Sequence, residues 1–175
     1  MISHMMTQKT FYIIDGSSLI YRAYYAIRNL STSGKMPTNA VYGFIQMVLK
    51  IIKDKKPDYL VMAFDTKGPT FRDALYDHYK AHRPKMPDDL SVQIPFIHRA
   101  VSALGIFSIM QEGVEADDVI GTLAKQGEAA GLTITIVSGD KDLFQLISPT
   151  VTVYDTMKEK VFTEKLICEI HKDIV

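Results

Sequence analysis

The chain has 175 residues, with 20 Lys and Arg against 20 Asp and Glu, and so a formal net charge of zero. Apolar residues make up 47% and charged residues 23%, the balance of one globular domain, which excludes a disordered tail, a collagen-like repeat and a disulfide scaffold. Taken alone, the zero also argues against a strongly basic domain of the kind that holds nucleic acid. The lone Cys168 permits no internal disulfide and no CxxC metal pattern, so a reducing, cytoplasmic setting is expected. No apolar run approaches the ~20 residues of a membrane span, and the N-terminus lacks a signal core, so no membrane contact is expected. Residues 1–5, ahead of Met6, read as an expression scar, with the domain running over 6–175.

Phe11 to Ile14 is a short apolar run that stops at Asp15, Gly16 and Ser17, a buried strand with its turn. Ser17 or Ser18 is placed to cap a helix from Leu19 to Ile27, and Leu30 to Pro37 follows as a polar loop. Thr38 is placed to cap a long helix through Ile52, in which Val41, Phe44, Ile45, Val48, Leu49 and Ile52 recur at helical spacing. Tyr59 to Phe64 is a second strand, and it too ends at an aspartate, Asp65. Thr66 to Pro87 is polar, basic and aromatic without a single period. Asp88 or Ser91 then starts an amphipathic helix to Leu104, closed by Gly105. Ile106 to Met110 is a third strand. An acidic stretch, Glu112 to Asp118, leads into a helix to Ala130, closed by Gly131. Leu132 to Val137 is a fourth strand running into Ser138, Gly139 and Asp140. A short helix over Asp142 to Ile147, a fifth strand over Val151 to Tyr154 and a helix near Thr163 to His171 complete the chain. Alternating strands and helices of this kind predict an α/β fold, a mostly parallel central sheet with helices on both faces.

In such a sheet, functional groups collect at the carboxyl ends of the strands. Those positions here are Asp15, Asp65, Glu115 with Asp117 and Asp118, and Asp140 with Asp142. One aspartate after a strand is commonly a turn residue or a helix cap. Its recurrence after four successive strands is the signal. Seven carboxylates at one edge disfavour one another's ionised form, and divalent cations relieve that cost. Oxygen ligands without His or Cys suit Mg²⁺ or Mn²⁺ rather than zinc. Because Mg²⁺ takes few carboxylates directly, seven acids suggest two ions, an arrangement suited to in-line displacement at phosphorus.

Between Lys67 and Lys85, five basic residues (Lys67, Arg72, Lys80, Arg83 and Lys85) face two acidic ones, Asp73 and Asp77, with Phe71, Tyr76 and Tyr79 interleaved. Basic groups make phosphate contacts, and aromatic faces stack on unpaired bases. A solvated helix surface would carry the same residues. On a helix Lys80 and Arg83 would share a face and clamp a phosphate. His78 and His82 have the spacing of a zinc pair but no third soft ligand nearby. Arg22, near Asp15 in the chain, suits a phosphate contact or a surface ion pair equally well.

Collinear stretches from about Thr10 to Asp155 resemble the N-terminal part of the 5′-nuclease domain of bacterial DNA polymerase I, in the flap endonuclease group with its PIN-like core. They are residues 14–24 (IDGSSLIYRAY), 38–44 (TNAVYGF), 64–72 (FDTKGPTFR), 79–84 (YKAHRP), 115–124 (EADDVIGTLA) and 138–146 (SGDKDLFQL). The resemblance implies a Mg²⁺-dependent phosphodiesterase acting on 5′ ends and flaps of nicked or branched duplex DNA in replication and repair. It makes Asp15, Asp65, Glu115, Asp117, Asp118, Asp140 and Asp142 the metal carboxylates, and Arg22, Arg72, Lys80 and Arg83 the phosphate contacts. Lys80 and Arg83 would also act in catalysis, at the base of a helical arch over about 66–87, with Tyr79 a weaker stacking candidate. A monomer is expected, with a polymerase domain following in a longer protein. The family's helix–hairpin–helix element and the further aspartates of its second metal site have no counterpart here, since no glycine follows Gly139. Metal site one is therefore expected complete and site two incomplete. A DNA-binding module without activity and a PIN-type ribonuclease are the rival readings. A small-molecule phosphatase would need a second aspartate two residues after Asp15, where Ser17 stands.

Overall fold

The structure, a computed structural model, describes residues 8–66, 68–72 and 85–172. The expectations for Lys67, for the His78 and His82 pair, for Tyr79, Lys80 and Arg83, and for most of the arch lie outside those residues.

The described chain runs β1 (Thr10–Asp15), α1 (Gly16–Ala26), α2 (Asn39–Lys55), β2 (Tyr59–Ala63), α3 (Asp88–Ser91), α4 (Ile94–Ala103), β3 (Phe107–Ile109), α5 (Ala116–Ala129), β4 (Thr133–Val137), a 3-10 turn (Asp142–Leu146), β5 (Val151–Asp155), β6 (Lys160–Phe162) and α6 (Glu164–Lys172). The strands form one sheet in the order β3-β2-β1-β4-β5-β6. Every neighbouring pair is parallel except β5 with β6. The strands read as unbroken apolar runs because both sheet faces are covered. Ile14, Met62 and Val137 point into a core built with Leu19, Phe44 and Ile97 of α1, α2 and α4. Ile13, Val61 and Ile136 point the other way, toward Ile120 and Ala124 of α5.

The chain starts in the middle of the sheet at β1, steps out to β2 and β3, then returns to the other side of β1 for β4 and β5. The order therefore reverses between β1 and β4, and a crevice opens beyond their carboxyl ends.

Local differences from the sequence reading have physical causes. Asp15, not Ser17 or Ser18, caps α1, its side chain accepting from the backbone N–H of Ser18 at 2.9 Å. Thr38 flanks α2 but makes no capping bond. Gln93, more than fifty residues away, caps that helix instead. The helix expected from residue 88 to 104 is two pieces, α3 and α4, with Pro95 in the first turn of the second. Pro has no N–H to extend a helix from behind, so it suits a start. Strand β6 was not anticipated. Its three residues are too few to show a period. Gly105 and Gly131 do close their helices, at φ of 68° and 76°, where a side chain would be strained. Among the described residues no helix is long and apolar enough to cross a membrane.

Candidate active site

Asp15 sits at the carboxyl end of β1, only 4% exposed. Beyond the bond from Ser18, its Oδ2 accepts from the Ser138 hydroxyl at 2.7 Å. Ser138 Oγ in turn accepts from the Asp140 N–H at 3.0 Å, and Asp140 Oδ1 accepts from the Asp142 N–H at 2.9 Å. The loop after β4 is thus threaded, hydrogen bond by hydrogen bond, onto the end of β1. On the other side of β1, the Asp65 N–H donates to Ser17 Oγ at 2.9 Å, and Asp65 Oδ1 accepts from the Ala116 N–H, also at 2.9 Å. Asp65 therefore ties β2's exit to the start of α5.

Burial holds the Asp15 carboxyl above its ordinary value. The bonds from Ser18 and Ser138 oppose that rise, and the charges of Asp65 and Asp140 add to it. Asp15 thus feels the charge of two other predicted carboxylates at the crevice. Of the other four, Asp118 and Glu115 sit against a cation. Arg72 holds Asp118 by two bonds, at 2.5 and 2.7 Å, and lies 3.6 Å from Glu115. Arg72, Glu115, Asp117, Asp118 and Asp142 line one groove of about 810 Å³. Among the described residues, no three acidic, His or Cys side chains stand close enough together to enclose a metal ion. The chemistry of the donor set nonetheless fits a hard divalent cation. It is all carboxylate oxygen, and its most buried member is pushed toward protonation by burial first and then by its acidic neighbours.

Arg22, which the spacing left between phosphate contact and surface ion pair, is neither free nor on the surface. Its Nη1 donates to Thr156 Oγ1 at 2.6 Å and lies 3.3 Å from Asp155 Oδ1, in a side-chain pair 10% and 8% exposed. Asp155, at the carboxyl end of β5, was missed by the sequence reading. It carries the same signal as Asp15 and Asp65, an aspartate closing an apolar strand, but that strand was expected to stop at Tyr154.

The profile of the family described as "5′-3′ exonuclease, N-terminal resolvase-like domain" matches residues 10–171. A 5′-3′ exonuclease of Aquifex aeolicus (strain VF5) is 47% identical over 157 residues, which cover 90% of this chain and 54% of that protein. DNA polymerase I of Pseudomonas aeruginosa is 48% identical over 152 residues, covering 87% of this chain and 17% of the polymerase. The chain therefore spans about half the length of the first and under a fifth of the second. Among solved structures, a bacteriophage T5 5′-exonuclease with bound zinc superposes with a TM-score of 0.73 at 18% identity, covering 94% of this chain and 61% of that one. The catalytic core of Rad2 in complex with DNA superposes at 0.57, with 20% identity, 93% of this chain and 50% of that one covered. These two likenesses establish the shared fold. By its family profile and its close relatives, this chain belongs to the 5′-3′ exonuclease N-terminal, resolvase-like domain family.

Proposed function

We propose that the chain is the nuclease core of a divalent-metal-dependent 5′-3′ exonuclease and flap endonuclease, hydrolysing DNA phosphodiesters at 5′ ends and flaps of nicked or branched duplexes. The observation that carries this reading is the buried Asp15 at the sheet's reversal point, raised in pKa and flanked by Asp65 and Asp140. Family membership supports it, as does the T5 flap endonuclease complex with DNA and metal ions, which shares the fold at a TM-score of 0.74.

In this reading Asp15, Asp65, Glu115, Asp117, Asp118, Asp140 and Asp142 would together hold the divalent cations, Mg²⁺ or Mn²⁺, some of them through bound water. Bound there, divalent cations supply Lewis-acid activation of water and neutralise charge on the scissile phosphate. The chain's own part is to place those oxygens and to grip the strand. Ser138 and Ser18 fix the Asp15 carboxylate, and the Ala116 N–H fixes Asp65. Arg22 and Arg72 stand beside the carboxylates as phosphate contacts, while Lys80, Arg83 and Tyr79, in the segment about 66–87, take the approaching 5′ strand. The protein acts as a monomer and, in relatives of the polymerase kind, as the leading domain of a DNA polymerase I.

Replacing Asp65 with Asn keeps the Oδ1 acceptor for Ala116 and removes only the charge. Asp65→Asn is thus expected to keep the fold and abolish Mg²⁺-dependent cleavage of a 5′-flap substrate. Cleavage by Asp65→Asn at the unsubstituted rate would sink the metal assignment. Flap binding without cleavage at any metal concentration would mark a DNA-binding module, and faster cleavage of an RNA flap would mark a ribonuclease.

A further inference from the structure

The structure puts a second, unexplained ion pair beside the carboxylates. Arg22 rises from α1, crosses over the loop that leaves β4, and lands on Asp155 and Thr156 at the end of β5. Its path is closely fitted. A Cβ on Gly139 would lie 1.8 Å from Arg22 Nη2, so the guanidinium occupies the space that a side chain on the loop residue beside Asp140 would take. Asp155 is itself held. Its Oδ1 accepts from the Met157 N–H at 2.9 Å, and its Oδ2 lies 3.7 Å from Lys158 Nζ. Arg22 also lines an open groove of about 700 Å³ together with Ser18, Tyr21, Tyr25 and Asp140. A guanidinium has five donors in a rigid plane. With one side engaged by Asp155 and Thr156, the plane's direction is set before any ligand arrives.

We propose that Asp155 is a positioning residue, which fixes the Arg22 guanidinium over Gly139 so that its remaining donors meet a DNA phosphate in the groove beside Asp140. This rests on the proposed nuclease reading. A free arginine would lose side-chain entropy on gripping a phosphate. One already ordered by a buried carboxylate loses little. Gly139 and Asp155 thus serve the same end from opposite sides, the one by leaving room and the other by supplying the anchor.

The test is a double-mutant cycle on the whole chain, read as affinity for a 5′-flap duplex by fluorescence anisotropy, with Ca²⁺ in place of Mg²⁺. Asp155→Asn keeps the turn acceptor and removes the charge, so any effect through the β5–β6 turn is small. Arg22→Ala is expected to weaken binding about tenfold, as loss of a charged hydrogen bond does, and to make the salt slope shallower by about one. Asp155→Asn is expected to weaken binding about threefold, Asp155→Glu to recover part of that, and Arg22→Ala with Asp155→Asn to bind no worse than Arg22→Ala alone. A merely structural Asp155 would lower affinity equally in both backgrounds, and that result would overturn the proposal. Wild-type binding by Asp155→Asn would overturn it as well. Flap binding unchanged by Arg22→Ala would sink this inference and leave the nuclease reading standing. No flap binding by the unsubstituted chain would sink both.

Discussion

Phe64 links the carboxylate edge of the sheet to the core through two contacts, one that leaves no room and one that titrates. A Cβ on Gly16 would lie 2.4 Å from Phe64 Cε1, so the residue following Asp15 has no side chain because the ring fills its place. Gly16 looked like a turn residue in the sequence. The neighbour that requires it comes from β2's exit and leaves no local pattern. Gly16→Ala is therefore expected to cost about 1–3 kcal/mol, as overpacking does, with a lower urea midpoint at unchanged m-value. On its other side Phe64 meets His98 of α4 edge-on, ring centroids 4.5 Å apart. Burial lowers the His98 pKa from 6.5, so the folded state favours the neutral ring. A depressed folded pKa gives stability that is complete above the unfolded value and lost as pH falls through the folded one. The thermal midpoint is thus expected to fall as pH drops below about 6.5, and His98→Gln to flatten that fall. An equal slope in both proteins would show that other groups titrate instead.

At the scale of elements, α2 shows what a linear reading captures and where it stops. The helix itself is plain in the sequence from the spacing of Val41, Phe44, Ile45, Val48, Leu49 and Ile52. Of these only Phe44 and Val48 are buried; Ala40 and Ile51 complete the apolar side of the buried face, while Leu49 is exposed. The cap is not plain in the sequence. Gln93, fully buried, accepts from Ala40 N at 2.9 Å and Val41 N at 3.2 Å, and donates to Asn39 Oδ1 and to Asp89 O. Asn39 passes the chain of bonds on to Tyr24 O and Ile27 O at the end of α1. One side chain thereby locks α1, α2 and α3 together, and nothing in the spacing of residues 39 and 93 announces it. The same holds for Arg72 with Asp118 and for Arg22 with Asp155, pairs made by topology rather than by sequence neighbourhood. The aspartates at strand ends were legible because the parallel sheet places every such end at one edge, so local pattern and tertiary position coincide. Gln93→Leu would take the side-chain acceptor from two helix N–H groups and the donor from Asn39 Oδ1 in the core. It is expected to cost at least about 2 kcal/mol in chemical denaturation, whereas Thr38→Ala, removing a residue with no capping bond, is expected to change stability by under about 0.5 kcal/mol.

For the whole molecule, net charge zero conceals a separation of charge. Setting aside the seven proposed metal ligands leaves 13 acidic residues against 20 basic, or +7. Two divalent cations at the site would bring the chain to about +4. The structure adds that the acidic edge also neutralises the cations next to it. Arg72 is held by Asp118 and Glu115, and Arg22 by Asp155. If cations occupied the carboxylates, Arg72 would be released toward phosphate, while Arg22 would keep its anchor because Asp155 is not among the proposed ligands. DNA binding should then draw on up to four basic side chains, Arg22, Arg72, Lys80 and Arg83. Four phosphate contacts correspond to a slope of about −3 to −4 for log affinity against log salt, or roughly a hundredfold loss between 50 and 200 mM. With the divalent cations removed by EDTA, Arg72 would stay on its carboxylates and the seven acids would repel the backbone. Affinity should drop, and the slope should become shallower by about one. Titrating one flap duplex at a series of salt concentrations, with Ca²⁺ and with EDTA, measures both quantities. Identical slopes in the two conditions would mean that Arg72 does not exchange partners, and that the acidic edge and the basic surface act independently.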